Sequence, residues 1–125
     1  MKIFLDTADH WEIADYFSTG LIDGVTTNPT LIKKAGRDPE EVYQKIKDIG
    51  LQDISMEVVG SDLDMYDEGI RLYEKFGDVT TIKVPCTREG LIVCKRLSEQ
   101  GIRVNVTLIF CAAQAVLAAK AGATY

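Results

Sequence analysis

The stretch Thr80-Thr81-Ile82-Lys83-Val84-Pro85 is a β-branched run with one lysine near its centre. Thr, Ile and Val favour the pleated surface of a sheet, and Gly77-Asp78 before the run and Pro85 at its end bound it, so it predicts a strand. Side chains alternate across a strand, which places Ile82 and Val84 on one face and Lys83 on the other. The lysine is therefore either a solvated surface residue or a buried amine with a chemical role.

On both sides of this run the chain repeats a unit of one short strand and a following helix, and five glycines close these units. Glycine suits the left-handed residue that ends a helix, and Thr7, Asp38, Ser61 or Asp62, and Thr87 are predicted helix caps. The closing glycines are Gly20, Gly50, Gly77, Gly101 and Gly122. The predicted strands are 2–6, 22–26, 54–58, 80–85 and 102–107, the first helix spans 8–17, the last spans 110–121, and a sixth strand begins at 123–125.

Strands that alternate with helices predict right-handed crossovers and a parallel sheet, either a doubly wound open sheet or part of a (β/α)8 barrel. Helices cover both faces of a doubly wound sheet, so its strands are apolar throughout. Here a polar side chain lies at or near the carboxyl end of every strand, where a barrel builds its active site. The sequence therefore favours an α/β fold of the (β/α)8 TIM-barrel type. We expect residues 1–125 to be a single domain that covers about the first five units of that barrel.

Composition narrows the classes of function. The net charge of −5 argues against nucleic acid or an anionic membrane as the main partner. No apolar run is as long as a membrane span. The acidic residue Asp6 interrupts the N-terminal apolar residues too early for the apolar region of a secretory signal peptide. The three cysteines are an odd number without metal-like spacing, which favours a reducing, cytoplasmic compartment and predicts no metal site.

The polar strand ends bring one lysine together with two carboxylates, two amides and a hydroxyl. Burial disfavours the charged form of an amine, and the neutral amine of Lys83 can attack a ketone and form a Schiff base. Two carboxylates suit two separate proton transfers. Each residue also has a structural alternative, such as a helix cap, a turn or an ion pair. The converging set is Asp6, Asn28, Glu57, Lys83, Asn105 and Thr107.

Two long motifs resemble the transaldolase family. The segment 23–32, Asp-Gly-Val-Thr-Thr-Asn-Pro-Thr-Leu-Ile, is similar to the signature turn of that family, and 82–91, Ile-Lys-Val-Pro-Cys-Thr-Arg-Glu-Gly-Leu, is similar to its Schiff-base segment. The stretches 4–8 and 105–110 are similar too. The likeness is strongest to the small transaldolases, a group that includes fructose-6-phosphate aldolase. It implies a cofactor-free enzyme of the pentose phosphate pathway that moves a dihydroxyacetone unit between sugar phosphates and forms homo-oligomers.

The resemblance also implies a role for each matching residue. Lys83 would form the Schiff base, Asp6 would transfer protons, and Glu57 and Thr107 would hold the catalytic water. The substrate-binding residues would be Thr26, Asn28, Asn105 and Tyr125, and Tyr125 matches a ring that touches this water in the aldolase. Transferring members have Glu at position 57 and the aldolase has Gln, so Glu57 favours transfer, whereas Tyr125 favours the aldolase.

The family has eight strand–helix units, whereas this sequence contains five and the start of a sixth. Its phosphate-binding arginine and serine would lie beyond position 125. Three hypotheses follow: a transaldolase, an aldolase that releases dihydroxyacetone, or an inactive half-barrel that acts as an interaction module. We expect the 125-residue chain alone to be nearly inactive and to associate through its open strand edges.

Overall fold

The computed structural model describes residues 1–36 and 38–125, and in these residues strands alternate with helices. The strands are β1 (Phe4–Asp6), β2 (Gly24–Thr26), β3 (Ile54–Glu57), β4 (Thr80–Pro85) and β5 (Arg103–Thr107). The helices are α1 (His10–Phe17), α2 (Pro29–Ala35), α3 (Pro39–Ile49), α4 (Asp62–Phe76), α5 (Arg88–Ser98) and α6 (Ala112–Ala121), and a 3-10 turn, Gly77–Val79, precedes β4. Over these ranges no helix has both the length and the apolar character that crossing a bilayer requires.

The strands pair in parallel, and their order in the sheet follows the chain, β1-β2-β3-β4-β5. Asp6 lies opposite Thr26 in the register of β1 and β2, and Lys83 lies opposite Asn105 in that of β4 and β5. A doubly wound sheet reverses its strand order at a switch point, whereas the strands of a (β/α)8 barrel follow one another in chain order. The α/β prediction is confirmed, and the order is that of the first five units of such a barrel.

The chain divides into two compact units, Met1–Met56 and Glu57–Tyr125, and each has its own apolar core. In the first unit Ile13 of α1, Val25 of β2 and Ile46 of α3 are completely buried. In the second unit the completely buried apolar side chains include Ile82, Val84, Val93, Leu97 and Val104. The assignment of residues 1–125 to a single domain stays a prediction.

Several helix ends were correctly predicted from local signals. Asp38 caps α3 by accepting a hydrogen bond from the N–H of Glu40 at 2.9 Å, and Ser61 caps α4 in a reciprocal box with Asp64. The C-caps of α3 and α6 are Gly50 and Gly122, with φ of 107° and 95°. Glycine adopts this left-handed backbone without strain, which explains its position at both ends.

The predicted start of the first helix was wrong. Asp9 caps α1, because its carboxylate accepts from the N–H groups of Trp11 at 2.9 Å and Glu12 at 3.4 Å. The hydroxyl of Thr7, the predicted cap, instead donates to the carboxylate of Glu12 at 2.8 Å. The helix consequently begins at His10, two residues later than predicted.

Several other predicted helices and strands were one to three residues too long. Helix α6 begins at Ala112 instead of Phe110, because the side chain of Gln114 accepts the N–H of Phe110 at 2.7 Å outside the helix. Helix α5 ends at Ser98, and Gly101, the predicted closing residue, lies in the following turn. β3 ends one residue earlier than predicted, and β1, β2 and β5 begin one or two residues later.

Close packing marks both ends of β4. A Cβ atom on Gly90 would lie 1.9 Å from the carbonyl oxygen of Pro85, so the first turn of α5 can approach the end of β4 only with glycine there. At the other end of the strand, Thr80 is 1% exposed, and its hydroxyl has no hydrogen-bond partner among the described residues.

Candidate active site

Lys83 lies in β4 and is buried, with 8% of its surface exposed. Its neighbours Ile82 and Val84 are completely buried, and Thr81, on the same face as Lys83, is also completely buried. The alternative of a solvated surface lysine is therefore wrong. An amine is rarely held at this depth without a partner.

Glu57 at the end of β3 supplies a partner. Its Oε2 lies 3.2 Å from the Nζ of Lys83, and the two side chains are only 15% and 10% exposed. The backbone supports the pair, because the N–H of Val58 donates to the carbonyl of Lys83 at 3.0 Å. The structural alternative considered for Glu57, an ion pair, is present. It also places a proton acceptor directly beside the amine.

Asn105, Tyr125 and Thr107 extend this group along the same face of the second unit. Asn105 lies opposite Lys83 in the register of β4 and β5. Tyr125 donates its N–H to the carbonyl of Val104 at 3.2 Å and accepts the N–H of Val106 at 3.0 Å. In a parallel pair this pattern places Tyr125 opposite Asn105, so both side chains share one face. Residues 123–125, the predicted start of a sixth strand, thus hydrogen-bond to β5 but are not assigned as a strand in the described structure.

Thr107 lies two residues after Asn105 in β5 and opposite Pro85 of β4. Its carbonyl accepts the N–H of Cys86 at 2.8 Å. The next residue, Leu108, has a φ of 65°, in the left-handed region where a side chain is strained. This turn separates Thr107 from α6, whose N-cap is Cys111. The structural alternative for Thr107, a helix cap, is therefore wrong.

The first unit holds a second group of predicted residues at the ends of β1 and β2. Thr26 donates its hydroxyl to the Oδ1 of Asp6 at 2.8 Å, across the register that pairs the two residues. Asn28 caps α2, since its Oδ1 accepts the N–H of Leu31 at 2.9 Å. Its amide nitrogen has no hydrogen-bond partner in the described part of the chain and can donate to a ligand. Asp6 caps no helix, because Asp9 has that role.

Sequence reasoning did not include Ser55 among the candidates. Ser55 is completely buried, lies opposite Thr26, and precedes Glu57 by two residues on the same face of β3. Ser55 could have been identified from the sequence, because it lies two residues before Glu57 and a strand places such residues on the same face. The catalytic and substrate-binding roles of all the predicted residues stay predictions, because their positions alone assign no role.

Comparisons with known proteins identify relatives of this chain. The family model described as transaldolase/fructose-6-phosphate aldolase matches residues 3–125. The chain is 56% identical over 126 residues to a probable transaldolase of Hyphomonas neptunium (strain ATCC 15444), covering 100% of this chain and 58% of that protein. It is 50% identical to one from Nitrosopumilus maritimus (strain SCM1) and 55% identical to one from Paracoccus denitrificans (strain Pd 1222), each over 126 residues and all of this chain, covering 56% and 58% of those proteins. The chain thus spans less than three fifths of the length of these relatives.

Proposed function

This chain belongs to the transaldolase/fructose-6-phosphate aldolase family, and on that premise we propose that it carries the Schiff-base chemistry of a transaldolase. The reaction moves a dihydroxyacetone unit from a ketose phosphate, such as sedoheptulose 7-phosphate, to an aldose phosphate, such as glyceraldehyde 3-phosphate. It needs no cofactor. The observation that carries the proposal is the buried Lys83 with the carboxylate of Glu57 at 3.2 Å.

Glu57 begins the reaction by accepting a proton from the ammonium group of Lys83. The neutral amine then adds to the ketone carbon of the substrate, and a proton passes from the added nitrogen to the former ketone oxygen to give a neutral carbinolamine. Glu57 returns its proton to the departing hydroxyl, water leaves, and the lysine nitrogen is part of a positively charged iminium. The short distance between the two side chains suits both transfers.

Asp6 performs the second proton transfer. Its carboxylate accepts the proton of the hydroxyl on the β-carbon, the bond between the α- and β-carbons breaks, and its electron pair moves into the iminium to give an enamine. The aldose phosphate leaves, and an acceptor aldehyde reverses the step with Asp6 as the acid. The hydroxyl of Thr26, 2.8 Å from Oδ1, orients this carboxylate.

The remaining residues hold water and substrate in this proposal. Thr107 and Glu57 bind the water that leaves on imine formation and re-enters on hydrolysis. Asn28 and Asn105 donate hydrogen bonds to substrate hydroxyls, and Tyr125 lines the same face as Asn105. Amides suit this task because each offers two N–H donors without adding charge.

Trapping the covalent intermediate tests the proposal. We expect fructose 6-phosphate and borohydride to leave one reduced adduct on Lys83, located by peptide mass mapping. Lys83→Ala should abolish it, whereas Lys95→Ala, at an exposed lysine paired with Glu99, should not. An adduct that persists in Lys83→Ala would exclude the assignment. Because an incomplete barrel can lose activity for other reasons, trapping is preferable to turnover as the first test.

The competing function is an aldolase that releases free dihydroxyacetone, and Glu57 favours transfer over release. A carboxylate can move a proton to and from the water, whereas an amide can only orient that water. In a full-length relative carrying these residues, we expect the variant equivalent to Glu57→Gln to lose transfer to erythrose 4-phosphate more than it loses dihydroxyacetone release. Faster release than transfer in the unmodified protein would favour the aldolase.

Assembly and location belong to the same proposal. We place the protein in the cytoplasm, which the three unpaired cysteines of the described residues support, and we propose sugar phosphates as substrates, with no nucleic-acid or membrane partner. The 125-residue chain should associate with itself, because α6 and the loop before it expose Phe110, Val116 and Leu117. Light scattering on the purified chain tests this. A monomer with ordinary turnover would contradict it, and a monomer without imine chemistry would favour the inactive module.

A further inference from the structure

A cavity of about 460 Å³ lies in the first unit, outside the candidate catalytic residues. Its lining comes from the segment Thr7–Trp11, from α2 and from α3. None of the eight predicted site residues lines it, although Thr7 directly follows Asp6. The volume is within the range of roughly 300–1,000 Å³ that is typical of small-molecule sites.

The inner wall of the cavity is apolar and the entrance is aromatic. Ala8 and Val42 are 5% and 3% exposed and form part of the wall together with Leu31. Trp11 is 75% exposed, and its ring lies 5.0 Å from that of His10 between centroids. A large indole surface left this open beside an apolar cavity suits stacking of a flat apolar group.

The charge at the cavity is positive. Lys34 of α2 and Lys45 of α3 both line it, and neither forms an ion pair or hydrogen bond within residues 1–36 and 38–125. Asp9 also lines the cavity, and its carboxylate accepts N–H groups as the cap of α1, so two lysines face one carboxylate in the lining. In a chain of net charge −5, two unpaired lysines at one cavity are a specific attraction for anions.

From these three observations we propose that the cavity binds a small organic anion with an apolar body, such as an aromatic phosphate monoester or carboxylate. The apolar part occupies the wall formed by Ala8, Leu31 and Val42 and stacks on Trp11, and the anionic group lies between Lys34 and Lys45. The sugar-phosphate substrates differ from this ligand because their bodies are polar. The site is therefore separate from the proposed catalytic one.

The chain provides its own reporter, because Trp11 is the only tryptophan. Phenyl phosphate is the probe, with phenol and inorganic phosphate as partial probes, and tryptophan fluorescence is the readout. We expect saturable binding of phenyl phosphate that is at least about tenfold tighter than that of either partial probe, since each retains only half of the interactions. Amide chemical shifts should locate the ligand at Ala8 and Val42.

Charge-removing variants complete the test. Lys34→Gln/Lys45→Gln should weaken phenyl phosphate binding about tenfold, because two charge-assisted contacts are lost. Lys33→Gln is the matched control, since Lys33 is exposed on the same helix and does not line the cavity, and it should change binding less than about twofold. Equal binding of phenol, an equal loss in the control, shifts confined to other regions, or no saturation would each overturn the proposal.

Discussion

Replacement of Thr80 by valine should stabilise the protein. Thr80 is 1% exposed, and its hydroxyl has no hydrogen-bond partner in the described residues, so folding removes that group from water without compensation. Such a group costs about 1–3 kcal/mol, and valine keeps the shape of threonine while removing the hydroxyl. Valine is also as well suited to a strand as threonine. We therefore expect the free energy of unfolding to rise by about 1–2 kcal/mol.

The chain contains a matched control. Thr27 is completely buried, but its hydroxyl donates to the carbonyl of Ser55 at 2.9 Å. The same substitution, Thr27→Val, removes a satisfied hydrogen bond and leaves a buried carbonyl with one partner fewer. It should lower the free energy of unfolding by about 1–2 kcal/mol.

Urea titration followed by circular dichroism measures both changes, and thermal unfolding gives a second readout. For a domain of this size, about 1 kcal/mol corresponds to a Tm change of roughly 3–6 °C, so the two variants should differ by several degrees in opposite directions. If Thr80→Val destabilises the protein as much as Thr27→Val does, the hydroxyl of Thr80 has a partner and the reasoning fails.

Three further predictions concern helix caps and cysteines. Cys111 caps α6 without a side-chain hydrogen bond, so Cys111→Ser, which can form one, should raise the free energy of unfolding by about 0.5–1 kcal/mol. Urea titration measures this change, and an unchanged free energy of unfolding would show that this cap does not limit stability. Hydrogen bonds from the hydroxyl and the N–H of Ser61 hold the pKa of Asp64 below its ordinary value of 3.8, so Ser61→Ala should raise that pKa in an NMR titration. Because the folded-state pKa is the lower one, the stabilisation is present above pH 3.8 and is lost as the pH falls through the folded-state value; an unchanged titration would contradict this account. Burial raises the pKa of Cys94 to about 11, so iodoacetamide at neutral pH should modify the exposed Cys111 well before Cys94, and equal rates in peptide mapping would contradict the burial.

Much of the fold could be predicted because its signals are local. The bounds of β4, the Asp38-Pro39 start of α3 and the glycine ends of α3 and α6 depend on residues within a few positions of each other. The start of α1 was missed because Thr7 and Asp9 can both cap a helix. Only the structure shows that the carboxylate accepts the free N–H groups, while the hydroxyl of Thr7 binds Glu12.

The sequence nominated Lys83 and Glu57 as site residues, but it did not predict the contact between them. The alternation of side chains placed Lys83 and Glu57 at strand ends, yet their 3.2 Å ion pair depends on how β3 and β4 align, which the sequence does not show. The cavity beside Trp11 gave no sequence signal at all. Its lysines, Lys34 and Lys45, lie on different helices and contribute to one site only through tertiary packing.

The contact between Gly90 and Pro85 limits how this protein can be engineered. A Cβ atom at position 90 would lie 1.9 Å from the Pro85 carbonyl oxygen, so α5 and the end of β4 are packed too closely for any side chain there. Libraries that vary position 90 should therefore yield mostly destabilised clones. Position 108 should accept glycine better than other residues, because the φ of Leu108 is 65°, in the left-handed region, and 56% of its surface is exposed.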